Sequence, residues 1–144
     1  MMVFADTSAL FSLLVRDDLM HIRAKENFAY FASQRVQLLT SSYVLVETVA
    51  LLQQRIGLEP VRDFNLKILP LLETIWVDAQ WQSRAMQRLL TQNKKGLSLV
   101  DCVSFEIMEM REVIEAFTFD RHFEENGFHI AAYHDLDKRA QSRS

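Results

Sequence analysis

The chain alternates short apolar runs with stretches whose apolar residues recur at helical spacing. Met2-Val3-Phe4-Ala5 is apolar without interruption and stops at Asp6, the pattern of a strand buried on both faces. Leu10, Phe11, Leu13 and Leu14 then mark a helix over residues 7–15, which Arg16-Asp17-Asp18 closes. A second helix is predicted over 19–34, with Ile22, Phe28, Ala29, Phe31 and Ala32 inward, and a second strand over 36–39. Thr40-Ser41-Ser42 offers N-cap oxygens to a third helix over 43–55, and Gly57 suits its C-terminal cap. Pro60 fits the first turn of a fourth helix over about 59–72, followed by a third strand at 74–77. A fifth helix over 79–92 carries Trp81, Ala85, Met86, Leu89 and Leu90, and Asn93-Lys94-Lys95-Gly96 breaks it. Ser98 caps a sixth helix reaching about residue 110. A fourth strand at 116–119 ends on Asp120. One helical turn at 121–125 and a short last strand at 128–132 complete the pattern.

Strands separated by helices predict an α/β fold: a short central parallel sheet flanked by helices on both faces. Residues 1–134 are expected to form one domain and 135–144 a polar C-terminal tail. The chain has 3 Gly and 2 Pro, too few for long irregular loops, and 49% apolar residues, which excludes a disordered chain. With a net charge of -3 there is no global basic field, so any nucleic-acid contact must use a local patch. One cysteine, Cys102, permits no internal disulfide and suggests a reducing compartment. No apolar run approaches the ~20 residues of a membrane span. Asp6 interrupts the one candidate signal segment. A cytoplasmic location is the expectation.

The candidate chemistry lies in Asp6, Glu47, Asp101 and Asp120. Two predicted strands finish on aspartate. Ligands in open parallel sheets sit beyond the carboxyl ends of the strands. If the two strands are neighbours, their tips lie ~5 Å apart. Each aspartate taken alone reads equally well as an N-cap. Glu47 stands in Val44-Leu45-Val46-Glu47-Thr48-Val49-Ala50-Leu51-Leu52, apolar nearly all round, which predicts a buried helix. A buried ionised carboxylate is expensive unless paired or metal-bound, and no Lys or Arg lies within one helical turn. Asp101 follows Ser98 at capping-box spacing, and the helix N-terminus favours its charge. Clustered carboxylates raise one another's pKa unless a cation neutralises them. Hard oxygen ligands point to Mg²⁺ or Mn²⁺, and such a site suits phosphoryl chemistry. His21, His122, His129 and His134 are too scattered for a zinc site.

Four motifs carry a family resemblance: Val3-Phe4-Ala5-Asp6-Thr7-Ser8, Ser42-Tyr43-Val44-Leu45-Val46-Glu47-Thr48, Leu97-Ser98-Leu99-Val100-Asp101 and Thr118-Phe119-Asp120-Arg121-His122-Phe123. In this order and spacing the chain resembles the PIN-domain nucleases, and among them the VapC-type toxins of toxin–antitoxin pairs, over about residues 2–133. The resemblance implies a flap-nuclease-like three-layer sandwich. It implies that Asp6, Glu47, Asp101 and Asp120 surround one or two Mg²⁺ or Mn²⁺ ions and that a metal-bound water hydrolyses RNA phosphodiesters. Thr7 or Ser8 would orient Asp6 or the water, Ser98 would steady the Asp101 helix, and Thr118 belongs to the last motif. A homodimer and a partner antitoxin are implied as well.

Lys94, Lys95, Arg121, Lys138 and Arg139 are candidate RNA contacts, although ordinary solvated charge accounts for most of them. Cys102, Trp76 and Trp81 read as packing residues, Glu106, Glu109, Glu112 and Glu115 as a solvated face, and His122 as a packed or surface histidine. Asn27 receives no role. Two other functions compete. A phosphotransfer site on Asp6 would want a second aspartate two positions on, where Ser8 stands. A non-catalytic RNA- or protein-binding module on the same fold would be expected to have lost some of the acids.

Overall fold

Strand β1 (Met2–Ala5) is the middle of a five-stranded parallel sheet in the computed structural model, which describes residues 1–132. β2 (Gln37–Ser41) and β4 (Glu115–Phe117) flank it, and β3 (Leu72–Ile75) and β5 (His129–Ile130) form the edges, in the order β3-β2-β1-β4-β5. Phe4 pairs with Leu39 on one side and Ala116 on the other, and Ala5 lies opposite Phe117. Val3, Phe4 and Ala5 are fully buried, which is why this strand is apolar without alternation. From β1 the chain builds one half of the sheet (β2, β3), then crosses to the other half (β4, β5). The switch point therefore lies between β1 and β4, where α/β sheets open a crevice at the strand ends.

Helices α1 (Thr7–Leu14), α2 (His21–Ser33), α3 (Ser42–Arg55), α4 (Leu58–Asp63), α5 (Ala79–Gln92), α6 (Leu99–Met110) and α7 (His122–Glu125) cover the two faces. α1 packs on α2 and α3, and α5 on α6. Aromatic edges lock the elements that bear on the strand ends. Phe31 of α2 meets Phe117 of β4 at 5.3 Å between centroids, and Phe105 of α6 meets Phe123 of α7 at 4.9 Å, both edge-on. Such pairs contribute roughly 0.5–1.5 kcal/mol beyond their buried area.

Several expectations change. The fourth helix is α-helical only over Leu58–Asp63. It widens into a π-turn over Phe64–Ile68, which buries Phe64 and Ile68 together, then tightens into a 3₁₀ turn over Leu69–Leu71. Pro70 stands in that last turn, and without an N–H it cannot extend an α-helix. β3 therefore starts at Leu72, ahead of the expected 74. α2 buries Ala24, Asn27 and Phe31, while Ile22, Ala29 and Ala32 face out; the polar Asn27 in the buried stripe hid its true face. α3 is not buried all round: Val44, Thr48 and Leu52 face inward, but Val46 is 68% exposed. Trp76 is 74% exposed rather than packed, and Glu115 is buried in β4 rather than solvated. β4 ends at Phe117, so Asp120 lies three residues beyond the strand. The expected tail at 135–144, with His134, Lys138 and Arg139, lies outside the described residues.

Candidate active site

Asp6 extends the β1–β4 ladder by one residue, its N–H donating to the Phe117 carbonyl at 3.0 Å. Its own carbonyl accepts from Leu10 N–H at 3.1 Å and so opens α1. The side chain does not cap that helix. Instead its Oδ2 accepts from Thr118 Oγ1 at 2.8 Å and from Ser8 Oγ at 3.1 Å. Both hydroxyls are themselves held. Thr118 Oγ1 accepts from Asp120 N–H at 3.0 Å, and Ser8 Oγ accepts from Phe119 N–H at 2.9 Å. The residue directly across from Asp6 is thus Thr118, and its hydroxyl connects the Asp6 carboxylate to the Asp120 backbone. Asp6 is 3% exposed.

Asp101 forms the expected cap and also stands beside another acid. Its Oδ2 accepts from Ser98 N–H at 3.2 Å while its own N–H donates to Ser98 Oγ at 3.0 Å, a complete capping box at the start of α6. The same residue meets Asp120 and His122, with one ligand atom from each lying within 4.8 Å of the others. Asp120 Oδ1 accepts from His122 N–H at 2.9 Å. His122 Nδ1 stands 2.8 Å from the same oxygen, without the alignment of a hydrogen bond. Glu47 is half-buried on α3. The first turn of α1 is tied to this helix by Thr48 Oγ1 donating to Thr7 Oγ1 at 3.3 Å, and by Thr7 Oγ1 donating to the Val44 carbonyl at 3.4 Å.

The electrostatics tie the acids together. Burial raises the Asp6 pKa from 3.8 to about 6, the Asp101 charge adds to this, and the Thr118 and Ser8 hydroxyls partly offset it. Burial raises Glu47 as well; the Thr7 hydroxyl offsets part of that, and the charges of Asp6 and Asp120 push it further. Asp101 is raised by burial and by Asp120, against hydrogen bonds from Ser98 and the neighbouring His122. Asp6, Glu47, Asp101 and Asp120 therefore sit in one mutually repelling field. Among the described residues, the groups close enough to share one ion are Asp101, Asp120 and His122, without Asp6 or Glu47, and such donors fit a divalent cation.

Lys94, Lys95 and Arg121 are all exposed, and Lys94 Nζ pairs with Glu125 Oε2 at 3.4 Å. The loop bearing the two lysines passes close to His122: a Cβ placed on Gly96 would stand 3.8 Å from its Cε1. Two neighbours of the site were hidden in the sequence. Thr48 looks like one more member of an apolar helix. His122 looks like a surface residue, although its place two residues after Asp120 is a usable signal.

A parallel sheet with a buried aspartate at its switch point and further acids around it defines a nuclease-like α/β centre. The PIN domain family model matches residues 3–129, and the chain belongs to the PIN-domain family. It is 30% identical over 128 residues to the 23S rRNA-specific endonuclease VapC20 of Mycobacterium tuberculosis, from strains CDC 1551 / Oshkosh and ATCC 25618 / H37Rv alike. That alignment covers 88% of this chain and 95% of the relative. The crystal structure of M. tuberculosis VapC20, described as a sarcin–ricin loop cleaving toxin, superposes with a TM-score of 0.81 at 29% identity. It covers 90% of this chain and 98% of that one.

Proposed function

We propose that this protein is the endoribonuclease toxin of a toxin–antitoxin pair and that it hydrolyses RNA phosphodiesters with one or two Mg²⁺ or Mn²⁺ ions. Asp6, Glu47, Asp101 and Asp120 would hold the ions. Once bound, a divalent ion lowers the pKa of a water nucleophile and offsets charge on the phosphate oxygens. The chain's own part is positioning. Thr118 and Ser8 hold Oδ2 of Asp6 and so fix the carboxylate's orientation. Ser98 fixes the rotamer of Asp101 through the capping box. Thr7 ties the first turn of α1 to α3, which carries Glu47. Lys94, Lys95 and Arg121 would meet RNA phosphates beside the acids; with a net charge of -3 such contact must be local.

The observation that carries this reading is the common field of the four carboxylates at the β1–β4 switch point. The toxin reading is supported by the likeness to VapC20 along nearly the whole chain. No helix among the described residues is long and apolar enough to cross a membrane; a cytoplasmic site of action beside an antitoxin partner fits the RNA substrate. Exposed Val46, Leu58 and Leu66 supply an apolar surface for a homodimer. The sarcin–ricin loop of 23S rRNA, named for VapC20, is the first substrate to test. Purified protein with Mg²⁺ or Mn²⁺ should cut this RNA or another structured RNA at a defined phosphodiester. EDTA, Asp6→Asn and Asp101→Asn should each stop it. Cleavage that survives both substitutions in EDTA would overturn the proposal.

A further inference from the structure

His122 stands against Asp101 and Asp120 and is braced from behind. It begins α7, and its carbonyl is gripped twice by Asn126, from the backbone N–H at 3.1 Å and from Nδ2 at 2.9 Å. Asn126 is in turn held by Gln92 at 2.7 Å and Arg88 at 3.3 Å, both on α5. The other edge of the ring lies near Gly96, where an added Cβ would only just touch Cε1 at 3.8 Å and Nε2 at 3.9 Å. This braced ring keeps Nδ1 buried with no aligned hydrogen-bond partner. The 2.8 Å from Nδ1 to Asp120 Oδ1 matches neighbouring positions on an octahedral shell. At a ligand distance of about 2.1 Å those positions lie about 3 Å apart. Asp101 supplies a third donor atom within 4.8 Å of both.

We propose that His122 Nδ1, in the Nε2–H tautomer, joins Asp101 and Asp120 in a mixed nitrogen–oxygen site that prefers Mn²⁺ to Mg²⁺. This inference rests on the metal-nuclease reading and adds to it a fifth ligand and a metal preference. Carboxylates serve Mg²⁺ and Mn²⁺ alike, whereas a ring nitrogen is a ligand for first-row transition ions, of which Mn²⁺ is one, and not for the oxygen-seeking Mg²⁺. Neither the brace nor the ring is needed for an ion held by carboxylates alone.

The test uses the full chain loaded with Mn²⁺ alone and reads the ion by pulsed electron paramagnetic resonance. The expected spectrum shows coupling to a directly bound nitrogen, changes on ¹⁵N-histidine labelling, and loses that coupling in His122→Gln. The same substitution should weaken Mn²⁺ at least tenfold by calorimetry while changing Mg²⁺ much less, on the scale seen for lost metal-site partners. Labelling the unsubstituted protein keeps the test valid if His122→Gln folds poorly. Bound Mn²⁺ without nitrogen coupling, or coupling that persists in His122→Gln, overturns this inference and leaves the carboxylate nuclease standing. No bound Mn²⁺ overturns this inference, and failure to bind either Mn²⁺ or Mg²⁺ overturns the nuclease reading with it.

Discussion

Replacing Asp6 by Asn should make the metal-free protein more stable and inactive. Asp6 is 3% exposed, and its pKa is raised from 3.8 to about 6, chiefly by burial and then by Asp101. Between those values the folded protein keeps a proton that the unfolded chain has released. Stability therefore falls as pH rises through that window, and the loss is complete above pH about 6. One pKa unit corresponds to about 1.4 kcal/mol, so the full cost of ionising Asp6 is on the order of 3 kcal/mol. Asn keeps the shape of the neutral acid and avoids that cost. Urea unfolding in EDTA should show the two proteins alike near pH ~4 and Asp6→Asn more stable by up to ~3 kcal/mol above pH ~7. Mn²⁺ at about 1,000 times its Kd should reverse the order, because it adds about 4.1 kcal/mol to a protein that binds it. An Asp6→Asn protein that is less stable than wild type at neutral pH in EDTA, or a difference that ignores pH, would refute this reasoning.

Ser98→Ala removes the hydroxyl that caps α6 and should cost ~1 kcal/mol by urea unfolding, with slower RNA cleavage because Asp101 loses its holder. Lys95→Ala and Arg121→Ala should weaken RNA binding and flatten its salt dependence, by about 0.7 in log–log slope for each single-strand phosphate that is no longer neutralised; unchanged slopes would return both residues to ordinary surface charge. Phe105→Ala should destabilise by roughly 3–5 kcal/mol, since the fully buried ring meets Phe123 and Phe128 and lies under the Arg88 guanidinium; a loss under ~1 kcal/mol would contradict that packing.

The strand run at residues 2–5 was legible because a strand buried on both faces admits no polar residue before the point where the chain leaves the core. The capping box at Ser98 and Asp101 was legible for a similar reason: its spacing has a single backbone geometry. The face of α2 was not, because a buried Asn27 displaces the apolar stripe by which a helix is read. Nor was the break after Asp63, since a π-turn leaves almost no compositional trace beyond the later Pro70. The environment of Glu47 was overstated. A run rich in Val and Leu implied full burial, but Val46 and Ala50 stay exposed. The acid still turns toward α1, where the Thr7 hydroxyl hydrogen-bonds to it. His122 read as a packed or surface histidine because its surroundings depend on Asp101, and on Gln92 and Arg88 of α5 holding Asn126, contacts distant in sequence.

The most direct test is a crystal grown in or soaked with Mn²⁺, with the ion located by its anomalous scattering. Convergence of Asp6, Glu47, Asp101 and Asp120 on one divalent ion predicts a strong peak beyond the end of β1, bounded by those carboxylates. Full RNA cleavage by a protein whose anomalous map is empty there, or whose Mn²⁺ sits elsewhere, would contradict it.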